Sequence, residues 1–518
     1  MKHSKEIGHE TSQDIGRKSI DTSPLHLMAT KAPGQVALHH WQDGGYRAID
    51  YAQLSQRIRQ CARQLHDLGV TSGDKLACVD QNSLALVILY WACIDLGAIF
   101  CPLNPRFPKA QIAAIADRYG FKYFWAGEAY QALLPEPGLT LTLDAEASLT
   151  TTRDSKKATK AEATKVEPTK VEATKVEKIR IDTARPCNII LTSGSSGMPK
   201  AAVHCLNNHI ASALGSTQKI PLACGDNWLL SLPLFHIGGL AIVNRCALAG
   251  AALTLPAPGL SLAKQLKAMP LTHLSLVATQ LVRLLNDAPE SLKGLKALLL
   301  GGSAMDEQLI ERLTPLGIPA FTSYGMTEMS SQITTARANA QGSCGMPLPG
   351  RQLNIIDEVI YVRGETLFLG YLGDKPPHSI ARPLDDDGWF CTQDRGRFTP
   401  EGELLILGRT DNMFICGGEN VQPEEIEAVL RSYPGIEEAL VFGVADEEFG
   451  LLPVAIIKGE VASLEKLEGF LCQHIARFKR PRRYFPWPEV EQTGLKLPRK
   501  LVIQAVAERH GLATKKPA

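Results

Sequence analysis

Several features that would point to common functions are missing from this 518-residue chain. None of its twelve cysteines forms a C-x-x-C pair, so no zinc or redox site has local support. Cys93 in LYWACIDL and Cys246 in VNRCALAG stand in apolar runs, where a buried free thiol is expected. Such a set suits a reducing compartment. Net charge is almost absent: 55 basic side chains face 54 acidic ones, which excludes nucleic acid or an anionic membrane as the expected partner. Long hydrophobic runs are missing too. The most apolar stretch, LALVILYWACIDLGAIF, is unbroken only from Leu84 to Ile94 and carries Asp95. It falls short of the ~20 residues of a membrane span and predicts a buried helix. The opening residues, MKHSKEIGHETSQDIGRKSI, contain no apolar core of the kind a secretory leader needs. The expectation is a cytoplasmic protein with no membrane span, and homo-oligomerisation is left open.

What is present reads as a multidomain α/β protein. The length exceeds what one core usually supports. Between Tyr51 and Pro108 a helical period (YAQLSQRIRQCARQLHDLG) is followed by an apolar strand (KLACVD) and then the helix containing Trp91. The alternation returns in LSLVAT and ALLLGG, as in sheets covered by helices. The expected division is a flexible tail over 1–22, a large α/β domain over 23–409 and a small mobile α+β domain over 410–518. Within the large domain, residues 156–178 form a low-complexity insertion holding the pentads ATKAE, ATKVE, PTKVE and ATKVE. These bury too little to offset ordering entropy, and each is too short for a solenoid repeat.

The sharpest local signal is LTSGSSGMPKAAVH, Leu191 to His204. An apolar strand, NIIL, feeds a loop in which Thr192, Ser193, Ser195 and Ser196 offer hydroxyls. Gly194 and Gly197 let backbone N–H groups curl round phosphate oxygens, and Lys200 adds charge. A Walker A loop is excluded, because Met198 and Pro199 separate Gly197 from the lysine. A bare TSGSSG is often a surface turn, and the buried strand and Pro-Lys argue against that here.

This run resembles the phosphate loop of the adenylate-forming superfamily of acyl- and aryl-CoA ligases, luciferases and peptide-synthetase adenylation domains. SYGMTE (Ser323–Glu328), GWFCTQDRG (Gly388–Gly396), GRTDNMFICGGENVQPEEIE (Gly408–Glu427) and TGLKLPRK (Thr493–Lys500) follow in that family's order. The likeness covers nearly the whole chain outside the tail and the pentads. It implies ATP, Mg²⁺ and CoA as ligands, with a carboxylic acid adenylated and then passed to a thiol. It places Ser323, Tyr324 and Gly325 beside adenine, with Gly301 and Gly302 lining the same pocket. Thr327 would offer a hydroxyl to phosphate, and Glu328 a hard oxygen to the metal. Asp394 would accept from the ribose hydroxyls, with Arg409 as a second nucleotide contact. Asp411 would be the hinge, and Gly417 and Gly418 would line the thiol's tunnel. Lys496 would stabilise the adenylation transition state. Taken singly, Glu328 reads as a loop acid, Asp394 as a turn residue and Lys496 as a surface lysine. Two departures stand out. Gln393 occupies a position where the family often has Gly, and Gly494-Leu495-Lys496 replaces Gly-Lys, leaving Lys500 as a rival on spacing.

The wording SGSSGMPKAAVH, WLLSLPLFHIGG, VATQLVRLL and RTDNMFICGGENVQPEE is most similar to the o-succinylbenzoate–CoA ligases of menaquinone synthesis. An acid with a second carboxylate calls for a cation or dense donors in its pocket. Arg245 lies inside LPLFHIGGLAIVNRCALAG, where a guanidinium is expensive to bury unless paired. The resemblance would have Arg245 hold the aromatic carboxylate. His236 would line the acyl pocket, as a candidate catalytic group with Lys496, Thr327 and Glu328, and Thr279 and Gln280 would add contacts. A snorkelling arginine and a core histidine stay open as alternatives. So do a general aryl- or medium-chain acyl-CoA synthetase, a carrier-protein-loading domain and a nucleotide-binding regulator without catalysis. No covalent enzyme nucleophile is required.

Overall fold

The stretch too short to span a membrane is the helix Leu84–Leu96, about 20 Å long. Ser83 caps its start by accepting from Leu86 N, and Gly97 ends it in the left-handed region at φ 80°. It is apolar all round because both sides are covered: residues 86–94 are all buried. Its one acid, Asp95, accepts from His26 Nε2 at 2.6 Å, while His26 Nδ1 meets Ser55 Oγ at 2.8 Å. That polar chain ties the helix to its neighbours Pro24–Lys31 and Tyr51–Asp67. In this computed structural model the described residues are 19–143, 180–192, 198–301, 307–339, 341–409, 412–489 and 499–514. Among them no helix is long and apolar enough to cross a membrane.

Two large sheets flank these helices. In the first, Tyr123–Ala126, Lys75–Val79, Ile99–Leu103 and Pro186–Thr192 run parallel. Lys200–Cys205, Gly370–Leu372 and Ile380–Ala381 then continue the sheet antiparallel. The second has nine strands, with a parallel centre running from Val36–Gln42 to Ala320–Met326. Antiparallel strands complete both sides, Gly45–Asp50 at one edge and Ser331–Arg337 followed by Met346–Pro347 at the other. A four-stranded antiparallel sheet covers residues 351–409. A five-stranded sheet, built from 414–486, packs with the helices Pro423–Arg431 and Leu464–His474 around its own apolar core.

One assignment is corrected. Ser19 and Ile20, counted with the tail, form a strand paired with Asp182 and Ile181, and Ser23 caps the next helix. The pentad insertion lies outside the described residues. All twelve cysteines are free; nine are buried, Cys391 is partly exposed, and Cys224 and Cys472 are exposed.

Candidate nucleotide and acyl site

The phosphate-loop candidate is a hairpin within the first sheet: Thr192 pairs with Lys200, and the next element is again a strand. A Walker loop runs from strand to helix, so the topology agrees with the spacing argument. Tyr119 Oη donates to Pro199 O at 2.5 Å and fixes the returning strand. The Thr192 hydroxyl is buried and finds no partner among the described residues. Ser193, Gly194, Ser195, Ser196 and Gly197 lie outside them.

Ser323, Tyr324 and Gly325 end the strand Ala320–Met326, which turns through Thr327–Met329 into Ser331–Arg337. The turn is tight, with Ser330 at φ 53°. A Cβ on Gly325 would come within 2.1 Å of Ser331 O, so the hairpin itself demands the glycine. Gly301, at the end of the neighbouring strand, donates to Leu276 O; Gly302 lies outside the described residues.

Two main-chain contacts hold the turn. His204 Nε2 lies 2.7 Å from Thr327 O, and Phe368 N donates to Glu328 O at 2.8 Å. Burial lowers the His204 pKa to about 4, against the pull of the Thr327 carbonyl. The ring is therefore neutral, and a carbonyl partner puts its proton on Nε2. Nδ1 faces Asn188 Nδ2 at 3.4 Å, and Asn188 Oδ1 accepts from His209 at 2.6 Å.

Glu328 is buried, and Tyr371 Oη donates to its Oε1 at 2.5 Å. No cluster of three His, Cys, Asp or Glu residues that could hold a metal occurs among the described residues. A lone hard carboxylate fits Mg²⁺, which binds through one or two carboxylates plus phosphate and water oxygens.

Asp394 lies in the strand Phe390–Phe398, opposite Arg409 of Leu404–Arg409, and accepts from Tyr324 Oη at 2.7 Å. The adenine and ribose candidates thus meet directly. Gln393 keeps the path that glycine would take, at φ 62°, under roughly 1–2 kcal/mol of backbone strain. Of Arg409 only the backbone is described.

On the acyl side, His236 precedes the helix Ile237–Ala249, on which Arg245 is 1% exposed. Arg245 is no snorkelling side chain. It donates to Gln332 Oε1 at 2.6 Å and Ser331 Oγ at 3.3 Å, and its guanidinium lies 5.4 Å from the Trp228 ring centre. Its Nε is buried without a partner among the described residues, and burial lowers its pKa to about 10. Behind it Arg351, also buried, donates to Gln332 O at 2.8 Å, and burial together with Arg245 lowers its pKa to about 9. Thr279 lies on the helix Ala278–Asp287, its side chain outside the described set. Gln280 is occupied locally: it accepts from Val277 N at 3.1 Å and donates to Ser231 O at 3.4 Å.

His236 is partly exposed rather than a core residue, and its Nε2 lies 2.8 Å from Glu419 Oε2, in the loop Gly417-Gly418-Glu419. Arg106 donates to the other Glu419 oxygen. Burial alone would raise the Glu419 carboxyl, but His236 and Arg106 outweigh it and hold the pKa below its ordinary value. Gly417 and Gly418 have φ 59° and 85°, and a Cβ on Gly418 would stand 2.9 Å from Val277 Cγ2. Arg283 pairs with Glu448, and Arg106 lies 5.0 Å over the Phe478 ring. Asp411 and Lys496 lie outside the described residues. Nothing in the motifs singled out Tyr371, and Glu419 carried no role beyond membership of its loop.

A family model for AMP-binding enzymes matches residues 26–372, and one for the AMP-binding enzyme C-terminal domain matches 425–496. The 2-succinylbenzoate–CoA ligase of Haemophilus influenzae is 33% identical over 468 residues, covering 89% of this chain and 93% of that protein. A double mutant of o-succinylbenzoate CoA synthetase from Bacillus subtilis, bound with its product analogue OSB-NCoA, gives a TM-score of 0.80 at 26% identity. The match covers 93% of this chain and 98% of the other. The Bacillus subtilis enzyme in complex with ATP and magnesium gives 0.62 at 25% identity, covering 93% and 99%.

Proposed function

The chain belongs to the AMP-binding enzyme family, and we propose that it is an AMP-forming acid–thiol ligase converting o-succinylbenzoate, ATP and CoA to o-succinylbenzoyl-CoA, AMP and diphosphate. The reaction is a step of menaquinone biosynthesis, and the proposed location is the cytoplasm. The choice of acid is supported by the likeness to 2-succinylbenzoate–CoA ligase, and Arg245, a buried guanidinium whose Nε finds no partner among the described residues, is the proposed cation on the helix that follows His236. A second carboxylate completes it. A monocarboxylic acid would leave the group short of a partner, at about 1–3 kcal/mol.

In the first step a substrate carboxylate oxygen attacks the α-phosphorus of ATP, and the bond to the β-phosphate breaks to release diphosphate. Thr192, Ser193, Gly194, Ser195, Ser196, Gly197, Lys200 and Thr327 take the phosphates. Gly301, Gly302, Ser323, Tyr324 and Gly325 surround adenine, while Asp394 and Arg409 hold the ribose. Glu328 would hold Mg²⁺, which when bound would neutralise charge on the leaving diphosphate. Lys496 is the group proposed to stabilise the charge gathered on the carboxylate and the α-phosphate.

In the second step the CoA thiolate attacks the acyl carbon, a C–S bond forms, and the C–O bond to AMP breaks. The small domain turns about Asp411 between the steps, a gating motion. Gly417 and Gly418 then flank the pantetheine arm, and His236 lines the acyl pocket. The pose described above is the thioester-forming one. The Glu419–His236 contact, the seat of Gly418 on Val277 and the greater likeness to the product-analogue complex support this reading.

ATP–diphosphate exchange across a panel of acids, followed by thioester detection, tests the assignment. Exchange with o-succinylbenzoate well above benzoate and octanoate is expected. The opposite preference would remove the choice of acid but keep the chemistry, and no exchange with any acid would favour a regulator.

A further inference from the structure

Tyr371 has no part in the steps above, yet it touches two pieces of the phosphate machinery. Its hydroxyl donates to Glu328 Oε1 at 2.5 Å, and Lys200 Nζ lies 5.0 Å from its ring centre. Sheet pairing fixes its place: Gly370–Leu372 runs antiparallel to Lys200–Cys205, with Tyr371 opposite Ala202. The Phe368 ring packs edge-on against it at 4.8 Å, and the Phe368 N–H holds the Glu328 carbonyl. One short segment therefore grips Glu328 at both main chain and side chain.

The consequence for a metal follows from the carboxylate's geometry. The phenol uses one of the carboxylate's acceptor sites and fixes its rotation, which leaves the other sites to a cation. Hydrogen bonds of this outer kind orient a ligand, and losing one costs 10–100-fold in metal affinity or activity. The aromatic face also attracts the Lys200 ammonium. The lysine is thereby held at the foot of the phosphate loop.

We propose that Tyr371 is a positioning residue for MgATP, its hydroxyl aiming Glu328 and its ring stationing Lys200, so that the two are aligned before nucleotide arrives. This rests on adenylation at the site and is independent of which acid is used. Tyr371→Phe removes the hydroxyl and keeps the ring, whereas Tyr371→Leu removes both. Mn²⁺ is the probe: its binding to the enzyme–ATP complex is followed by electron paramagnetic resonance without any acid. Mg²⁺ titrations of adenylation and thioester formation from supplied acyl-adenylate accompany it, the latter also reporting that each variant is folded.

The Phe variant is expected to bind Mn²⁺ about tenfold more weakly. It should need more Mg²⁺ for adenylation and form thioester at the unmodified rate. The Leu variant should add a raised KM for ATP. Equal Mn²⁺ affinity in the Phe variant and the unmodified enzyme overturns the role of Tyr371 alone, as does equal loss of both half-reactions. An unmodified enzyme that holds no Mn²⁺ with ATP overturns the adenylation reading, and this proposal with it.

Discussion

The hydroxyl of Tyr324 donates to Asp394 Oδ2 at 2.7 Å, joining a strand end of the nine-stranded sheet to the four-stranded sheet. A hydrogen bond to a buried charge is worth about 1.5–3 kcal/mol. Tyr324→Phe should therefore raise the KM for ATP in the exchange reaction roughly tenfold, while thioester formation from supplied adenylate changes less. An unchanged KM for ATP would show that Asp394 holds its place without the tyrosine.

Gly418 and Lys496 should fail in opposite half-reactions. Alanine at 418 would carry a Cβ into Val277 at a φ that L residues avoid, so it should disfavour the described pose. Gly418→Ala is expected to slow thioester formation by at least about tenfold and leave adenylation nearly intact. Lys496→Ala should do the reverse. Rapid-quench measurement of the two half-reactions separates them, and parallel losses in either variant would sink the two-pose account.

The Glu419 carboxyl is held below its ordinary value of 4.5, so its contribution to domain docking is fully present above that value. It is lost as pH falls through the lower, docked-state pKa. Energy transfer between dyes on the two domains should thus fall as pH drops below about 4.5. Glu419→Gln should flatten that part of the profile. A signal that does not change below about pH 4.5 in the unmodified protein would place the controlling group elsewhere.

Asp95→Ala should destabilise the large domain by about 1–3 kcal/mol, because His26 and Ser55 lose the acceptor that completes their chain. Denaturant unfolding followed by tryptophan fluorescence measures it. Asp95→Asn, which keeps an acceptor, should cost less; equal losses would mean that packing rather than hydrogen bonding is at stake.

Much of the fold and part of the site are legible in the chain itself. The hydroxyl- and glycine-rich loop announces an anion site through local composition, and the run from Leu84 to Ile94 announces a doubly covered helix. Asp95 looked out of place there because its partner, His26, belongs to a different helix. The capping role of Gln280 is not visible in the sequence, because Val277 at the helix start lacks the side chain that Ser or Thr would have advertised. Tyr371 and Glu419 could not be found from spacing. Their contacts arise where strands far apart in sequence are paired and where the small domain is docked on the large one.

Ser55, His26 and Asp95 have the distances of a nucleophile, a base and its orienting acid, at 2.8 and 2.6 Å. Ser55 and His26 are nonetheless only 6% and 4% exposed, enclosed among three helices. Each group is already paired with its neighbour across a junction of helices, so the trio is a structural tie between them. Distance alone would class it with hydrolases; its place between helices, apart from the nucleotide and acyl groups, makes it a polar rivet.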